Sequence, residues 1–402
     1  MKRLPALAAL LAGALGATTP AVAEDQEMNA KDASTLAVYG DAPYGCKAGE
    51  CPNGFSPDTP NGPNPGDPRQ IQATPAFINV VNSDPKVRLV LHVGDIHSGS
   101  QYCTLAYNRT IAKLWRQFKD PVVYTPGDNE WTDCQKSGEG GNVTDANGNL
   151  VDYANGDPVA NLALIRSMFF PVAGETLGQR KMKVASQALA YDPAHPTDAE
   201  YVENVMWVQS GVLFVTLNIP GGSNNDDDNW YGATKTGTQI QEVAQRTAAD
   251  LRWLESAFAA AQTYGVNAVV IAEQADMWDL DGKDPSHIAN YEIFLDEIAA
   301  KSKGFGKPVL LINGDSHQYR SDNPLKENQS CVIESGLAVI ACPADAWKNH
   351  FSKGYDVPNF HRLVVHGSTF PLEYLRLTVD PRKNYSANTN AFGPFSWERV
   401  IP

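Results

Sequence analysis

Apolar runs that end at a glycine and an aspartate recur along this chain. The clearest lies over 89–97, Leu-Val-Leu-His-Val-Gly-Asp-Ile-His, where a strand ends at Gly94 and is followed by Asp95 and His97. Glycine lets the backbone turn where a side chain would obstruct it. In an open α/β sheet, ligands bind beside the carboxyl ends of the strands. The pattern therefore predicts that Asp95 lies at a functional edge of a sheet.

Predicted strands and helices alternate along most of the chain. Apolar or alternating runs predict strands over 35–40, 89–93, 121–125, 201–210, 212–218, 266–272, 308–313, 363–365 and 374–379. Helical spacing of apolar residues predicts helices over 71–82, 104–118, 158–170, 238–263 and 287–303. This alternation predicts an α/β fold in which helices cover β-sheets.

The polar ends of these strands extend from Asp41 to His317. A single site can unite them only if they belong to one domain. We therefore predict one large domain over 24–402, with the motifs in 39–317 and a β-rich C-terminal part at 318–402.

The first residues have the pattern of a secretory signal peptide. Lys2 and Arg3 precede an apolar run over 4–17, and Ala-Val-Ala at 21–23 fits a small-residue cleavage site. The apolar run is too short to span a bilayer comfortably, and no later run is long enough. We predict cleavage after Ala23 and export to the periplasm or the medium.

Charge and cysteines bear on partners and compartment. The formal net charge is −14 without a local basic patch, so we predict neither nucleic acid nor a membrane as a partner. Six cysteines in an exported chain predict disulfides, and no Cys/His set has zinc-ligand spacing. Many pairings remain open, and the hypothesis that we favour joins Cys46–Cys51, Cys103–Cys134 and Cys331–Cys342.

Four strand ends carry a Gly-Asp pair. They are Gly40-Asp41, Gly94-Asp95, Gly127-Asp128 and Gly314-Asp315, the last followed by His317. One such pair is ordinary turn chemistry, but turn chemistry does not explain the repetition at strand ends. Carboxylates brought together repel and raise one another's pKa values, and a bound cation removes that conflict. The pattern therefore predicts a metal site.

The order of these motifs over 39–317 resembles that of the calcineurin-like metallophosphoesterases, a family that includes the purple acid phosphatases. The family's first Asp motif corresponds to Asp41, and its Gly-Asp motif, whose aspartate bridges two metals, to Asp95. Its Gly-Asn-His-Asp/Glu motif corresponds to 127–130. The resemblance implies a four-layer α-β-β-α sandwich, in which helices flank two mixed sheets and a dinuclear site lies at the strand ends.

The remaining family motifs lie further along the chain. The lone strand-end His of the family falls at or beside Gln274, next to Glu273, and its Gly-His-x-His motif corresponds to 314–317. We predict that Asp95 bridges the two ions. For one ion the other predicted ligands are Asp41, His317 and His97, and for the second ion they are Asp128, Asp315 and either Gln274 or Glu273.

Several residues depart from the family pattern. Pro43 stands where the family has the His of Asp-x-His, Asp128 replaces a metal-binding Asn, and Gln274 and Asp315 replace His. We assign His97 to the position left vacant at Pro43. Oxygen ligands favour Mn, Mg, Ca or Fe over Zn, as two divalent ions or as one trivalent and one divalent ion.

The resemblance implies an exported phosphoesterase that hydrolyses small phosphate mono- or diesters by a metal-bridged hydroxide. Asn129 replaces the His that is often assigned to leaving-group protonation, a step worth roughly 10²–10⁴-fold. Glu130 or His97 would then protonate the leaving group, or the substrate has a good leaving group. The alternative is a catalytically weakened relative that binds metal or a phosphorylated ligand without turnover. The sequence indicates no oligomeric state.

Overall fold

The structure, a computed structural model, describes residues 32–45, 70–226, 228–279, 286–336, 338–343 and 354–402. The predicted signal peptide and the proposed Cys46–Cys51 pair lie outside these residues. Within them, disulfides join Cys103 to Cys134 and Cys331 to Cys342, as hypothesised from the sequence. No helix in these ranges combines the length and apolar character needed to cross a membrane.

The described strands fall in chain order into two sheets. They are β1 (Ser34–Tyr39), β2 (Val87–His92), β3 (Val122–Tyr124), β4 (Ala185–Ser186), β5 (Val205–Gln209), β6 (Val212–Thr216), β7 (Ala268–Ala272), β8 (Val309–Asn313), β9 (Arg320–Asp322), β10 (Val332–Ser335), β11 (Ala338–Ala341), β12 (Phe360–Val364), β13 (Tyr374–Val379), β14 (Ala391–Phe392) and β15 (Phe395–Val400).

Three of the described helices, at 70–83, 158–169 and 237–263, begin and end within one residue of predicted helices. The described helices are α1 (Gln70–Ser83), α2 (Leu105–Trp115), α3 (Pro158–Phe169), α4 (Gln187–Ala190), α5 (Gly221–Asn225), α6 (Gly237–Thr263), α7 (Ser286–Ala289) and α8 (Glu292–Phe305). Short 3₁₀ turns cover Asp133–Gln135, Ser137–Glu139, Tyr153–Gly156 and Pro196–Glu200. The segment α5 is a left-handed turn rather than a regular helix, because three of its residues have positive φ and ψ near helical magnitude.

Both sheets are mixed: the parallel strands form one side of the six-stranded sheet and the centre of the nine-stranded sheet. The six-stranded sheet has the order β14-β15-β13-β1-β2-β3, and the nine-stranded sheet has the order β11-β10-β9-β12-β8-β7-β6-β5-β4. Strands β1, β2 and β3 are parallel, as are β6, β7, β8 and β12. Their carboxyl ends therefore meet at one edge of each sheet.

Three apolar layers hold the elements together. The inner faces of the sheets pack on one another through residues such as Leu91, Trp207 and Val270. Helices α1, α2 and α3 cover the outer face of the six-stranded sheet, and α6 and α8 cover that of the nine-stranded sheet. This arrangement confirms the predicted four-layer α/β sandwich.

The largest differences from the predicted elements lie in the last part of the chain. The helix predicted over 287–303 is divided into α7 and α8, with Asn290 and Tyr291 between them. Strands β9, β10 and β11 were not predicted, since they are short and β11 is exposed along its whole length. The domain boundaries at 24–402 stay a prediction.

Candidate metal centre

The carboxyl ends of the parallel strands bring the predicted aspartates together. Asp41 follows β1, Asp95 follows β2, Asp128 follows β3 and Asp315 follows β8. Ligand atoms of Asp41, Asp95 and His317, the first group, lie within 4.8 Å of one another. Ligand atoms of Asp95, Asp128 and Asp315, the second group, also lie within 4.8 Å of one another. The two groups share Asp95.

Several of these residues adopt left-handed backbone conformations. The φ angles are 49° at Asp41, 57° at Asp95, 72° at Asp315 and 59° at His317. Such conformations cost non-glycine residues on the order of 1–3 kcal/mol each and cluster at functional sites. The preceding Gly94 has a φ of 91°, and a Cβ there would lie 2.5 Å from the side chain of the residue at 274. These left-handed turns therefore place the carboxylates at the strand ends at a cost in backbone free energy.

The aspartates are buried and repel one another. Burial and then the charge of Asp315 raise the pKa of Asp41 well above its usual value. Burial and then the charge of Asp128 do the same to the pKa of Asp95. For Asp128, burial and then the charge of Asp133 raise the pKa. Carboxyls in this state are stabilised by bound protons or by a cation.

The first group has an oxygen that a cation would satisfy. One oxygen of Asp41, Oδ1, accepts a hydrogen bond from the Asp315 N–H at 2.9 Å and lies 3.6 Å from Nε2 of His317. The other, Oδ2, is buried without a hydrogen-bond partner among the described residues. Leaving a buried acceptor unsatisfied costs about 1–3 kcal/mol. Because the His317 side chain is 43% exposed, the group is also open to solvent. The first group therefore fits a metal ion.

Tyr44 also reaches the first group, which the sequence did not indicate. Its hydroxyl lies 2.8 Å from Nε2 of His317, and the two rings are 5.8 Å apart in an edge-on arrangement. Burial, followed by the charge of Asp41, raises the pKa of Tyr44 well above its usual value. The one signal in the sequence was that Tyr44 directly follows Pro43, the residue that stands in place of the family's histidine.

Each carboxylate of the second group has at least one oxygen with a hydrogen-bond donor. Nε2 of Gln274 donates to Oδ2 of Asp95 at 3.1 Å and to Oδ1 of Asp128 at 2.9 Å. Oδ2 of Asp315 accepts a hydrogen bond from the N–H of Asp276 at 3.0 Å. In this structure the Gln274 amide therefore presents hydrogens, not oxygen, to the carboxylates, and its role as a metal ligand stays a prediction.

Glu273, the alternative ligand to Gln274, is fully buried, and both of its carboxylate oxygens lack hydrogen-bond partners among the described residues. Burial, followed by the charge of Asp250, raises its pKa well above the usual value. Among the described residues, the groups able to hold a metal do not include Glu273. Glu273 therefore belongs to neither the first nor the second group in the described part of the chain.

His97, predicted to complete the first group, contacts other residues in this structure, and its ligand role stays a prediction. Its Nδ1 donates to the carbonyl oxygen of Ser98 at 3.2 Å, and its Nε2 lies 3.7 Å from Sγ of Cys103. Cys103 is bonded to Cys134, so this sulfur is no metal ligand. Burial lowers the pKa of His97 to about 4, and the ring is neutral at pH 7. His97 packs against the disulfide, away from the carboxylates.

Glu130 and Asn129, which follow β3, make hydrogen bonds to neighbouring residues of the strand-end loops. Glu130 is fully buried and accepts hydrogen bonds from the Gly127 N–H at 2.7 Å and from the Tyr124 hydroxyl. The backbone N–H of Asn129 donates to Oδ1 of Asp95 at 3.3 Å. Neither residue provides an acidic proton at the open side of the site, since Glu130 is enclosed and Asn129 carries a neutral amide. Glu130 therefore makes structural hydrogen bonds in this loop, and the catalytic role expected for it stays a prediction.

A buried ion pair is connected to the second group through Asp276. The guanidinium of Arg362, on β12, donates to Oδ1 of Asp276 at 2.5 Å and to Oδ2 of Asp322 at 2.7 Å. Although burial acts in the opposite direction, the charge of Arg362 holds the pKa of Asp276 below its usual value. Asp276 in turn holds Asp315 through its N–H. Strand-end spacing gave no signal for this network.

Comparisons with known proteins agree with the motif order. The model of the family described as calcineurin-like phosphoesterase matches residues 37–270, more than half of the chain. The match includes Asp41, Asp95 and Asp128 and ends before Gln274. No curated protein matches.

The chain is also similar in fold to a purple acid phosphatase from seeds of yellow lupin (Lupinus luteus), with 12% sequence identity and a TM-score of 0.37. The similarity covers 92% of this chain and 52% of the lupin chain, so this chain corresponds to about half of that structure. As its motifs predicted, and as the family model shows, the chain belongs to the calcineurin-like phosphoesterase family.

Proposed function

We propose that this chain is an exported, metal-dependent phosphoesterase acting on small phosphate esters with good leaving groups. Family membership supports the ester chemistry, and the signal-peptide pattern at 1–23 supports export. The observation that carries the proposal is the first group, in which Asp41 has a buried oxygen without a described partner beside a solvent-exposed His317.

The residues of the first group would hold the ion. Asp41 and Asp95 offer carboxylate oxygens and His317 offers one nitrogen, a set that favours Mn, Mg, Ca or Fe over Zn. When bound, such an ion supplies positive charge to the phosphoryl oxygens and lowers the pKa of a water molecule. The exposed edge at His317 is where a phosphate ester would enter.

The described environment of the strand-end loops favours substrates whose leaving groups depart as anions. Of the two predicted proton donors, His97 faces a disulfide and Glu130 is enclosed, and Asn129, in place of the family's histidine, has no acidic proton. Without general acid catalysis, a poor leaving group loses roughly 10²–10⁴-fold in rate. We therefore propose aryl esters, rather than alkyl esters, as the substrate class.

A series of phosphate mono- and diesters with leaving groups of increasing pKa tests this proposal. The purified protein would be assayed with Mn, Mg, Ca or Fe, with chelator-treated protein as the control. We expect hydrolysis that depends on the metal and falls steeply as the leaving-group pKa rises. Equal rates for aryl and alkyl esters would contradict the proposed substrate class.

A second candidate function is binding without turnover. It is favoured by the occupied hydrogen bonds of Glu130 and by the neutral amides at Asn129 and Gln274. Calorimetry with inorganic phosphate on the metal-loaded protein would measure this binding. Phosphate binding without hydrolysis of any ester in the series would establish the second candidate and exclude the first.

A further inference from the structure

Gln274 occupies the centre of the second group. It follows β7 directly, and β7 lies between β6 and β8 in the nine-stranded sheet. The side chain is fully buried. A Cβ at Gly94 would lie 2.5 Å from Cγ of Gln274, so the glycine makes room for the long side chain. The position is thus enclosed, and the amide has little freedom to move.

A backbone donor fixes the orientation of the amide. Oε1 of Gln274 accepts a hydrogen bond from the Gly221 N–H at 2.6 Å. A peptide N–H can only donate, so the atom facing it must be the amide oxygen, and the opposite atom must be the NH₂ group. Turning the amide over would place two donors against each other at Gly221 and would leave the buried carboxylates without their donor.

The NH₂ group therefore points to the carboxylates. Its nitrogen, Nε2, donates to Oδ2 of Asp95 at 3.1 Å and to Oδ1 of Asp128 at 2.9 Å. A cation held by the same two oxygens would lie about 2.0–2.6 Å from each of them. The amide hydrogens carry partial positive charge and occupy that side of both carboxylates. A cation and the amide cannot share this position.

The third carboxylate of the second group is also engaged. Oδ2 of Asp315 accepts the N–H of Asp276 at 3.0 Å. In the first group, by contrast, Oδ2 of Asp41 has no partner among the described residues. The amide is neutral, so it satisfies hydrogen bonds without neutralising the buried aspartates, and Oδ2 of Asp41 is the oxygen that is left for a cation to bind.

We propose that this chain binds one metal ion, in the first group, and that the Gln274 amide takes the position of a second ion. The inference rests on the proposed function only in requiring that Asp41, Asp95 and His317 bind a cation. It predicts that the residue at 274 determines how many ions the centre holds.

Metal stoichiometry tests the proposal without an activity readout. The chelator-treated protein would be titrated with Mn²⁺ by calorimetry, and its metal content measured after removal of free ions. We expect one equivalent in the unsubstituted protein and two in Gln274→His, because a histidine brings a ligand nitrogen in place of the amide hydrogens. Electron paramagnetic resonance should show an isolated ion in the former and a coupled pair, about 3.5–4 Å apart, in the latter.

Gln262→His, at an exposed position of α6, is the control for binding by an added histidine. It should retain one equivalent. If Gln274→His does not fold, Gln274→Glu provides the same test, since its carboxylate also removes the amide hydrogens. Two equivalents in the unsubstituted protein would overturn the inference and leave the proposed function standing. No bound metal would overturn both. One equivalent in both substituted proteins would overturn the role assigned to the amide.

Discussion

The first and second groups share Asp95 but differ in what satisfies the other oxygens. In the first group, a buried oxygen of Asp41 lacks a described partner, and His317 is 43% exposed. In the second group, the Gln274 amide and the Asp276 N–H make hydrogen bonds of 3.1, 2.9 and 3.0 Å to the carboxylates. A cation would have to displace these donors. The partners of a carboxylate, rather than the number of carboxylates, therefore indicate where a cation binds.

The largest effect should follow from Asp95→Asn, because Asp95 belongs to both groups. Even outer-shell residues typically contribute 10–100-fold to metal affinity, so the loss of this ligand should exceed about 10²-fold. Calorimetric titration with Mn²⁺ would measure it. The exposed Asp192→Asn should leave the affinity unchanged. Retained affinity in Asp95→Asn would contradict the assignment of both groups.

A smaller and unequal effect should separate Asp41 from Asp128. Asp41→Asn removes a ligand of the first group and should weaken Mn²⁺ binding by about 10²-fold or more. Asp128→Asn removes a negative charge from the second group but keeps an oxygen that accepts from Gln274, so its loss should be nearer about 10-fold. The ratio of the two dissociation constants is the measurement. A loss in Asp128→Asn equal to that in Asp41→Asn would contradict the assignment of the ion to the first group alone, and a larger loss in Asp128→Asn would mean that the second group holds the ion.

Metal-free protein should become less stable as pH rises. Burial and neighbouring charges raise the pKa values of Asp41 and Asp95 in the fold. Each folded carboxyl then binds its proton more tightly than the unfolded one does. The stability present below the unfolded pKa of about 4 is lost as pH rises through the raised folded pKa.

Melting temperatures of chelator-treated protein, measured from about pH 4, near the unfolded pKa, up to about pH 8, would show this slope. Asp41→Asn, which lacks one of the titrating groups, should have a shallower slope. Mn²⁺ at about 100 times its dissociation constant should restore about 2.7 kcal/mol at high pH. A melting temperature of the metal-free protein that is constant or rises over the range would contradict the repulsion described for the carboxylates.

The smallest effect on metal binding should come from His97→Gln. The imidazole contacts Ser98 and the Cys103 sulfur, so its loss should change Mn²⁺ affinity by less than about threefold while costing about 1 kcal/mol of stability. Calorimetry and thermal melting would report the two quantities. A loss of affinity comparable to that of Asp41→Asn would mean that His97 is a ligand of the ion in the first group.

The central strands and the aspartates could be predicted because their signals are local. A continuous apolar run predicts a buried strand, and Gly-Asp at its end places Asp95 at a functional edge whatever the rest of the chain does. Strand β11, by contrast, is exposed throughout and pairs with β10 in a hairpin closed by Cys331–Cys342, which apolar patterning does not reveal.

The direction of Gln274 and the place of His97 could not be predicted, because contacts between distant residues decide both. Gly221, which fixes the amide of Gln274, is 53 residues away in the chain. His97 faces a disulfide whose pairing was one of many possible. The ligand types could therefore be predicted from the sequence, whereas the partners of each ligand atom required the fold.

The most direct test of this account is an anomalous difference map from a crystal soaked in Mn²⁺. We expect one peak, between Asp41, Asp95 and His317, with the Gln274 amide still hydrogen-bonded to Asp128. A second peak between Asp95, Asp128 and Asp315, or a single peak at that position, would contradict the account.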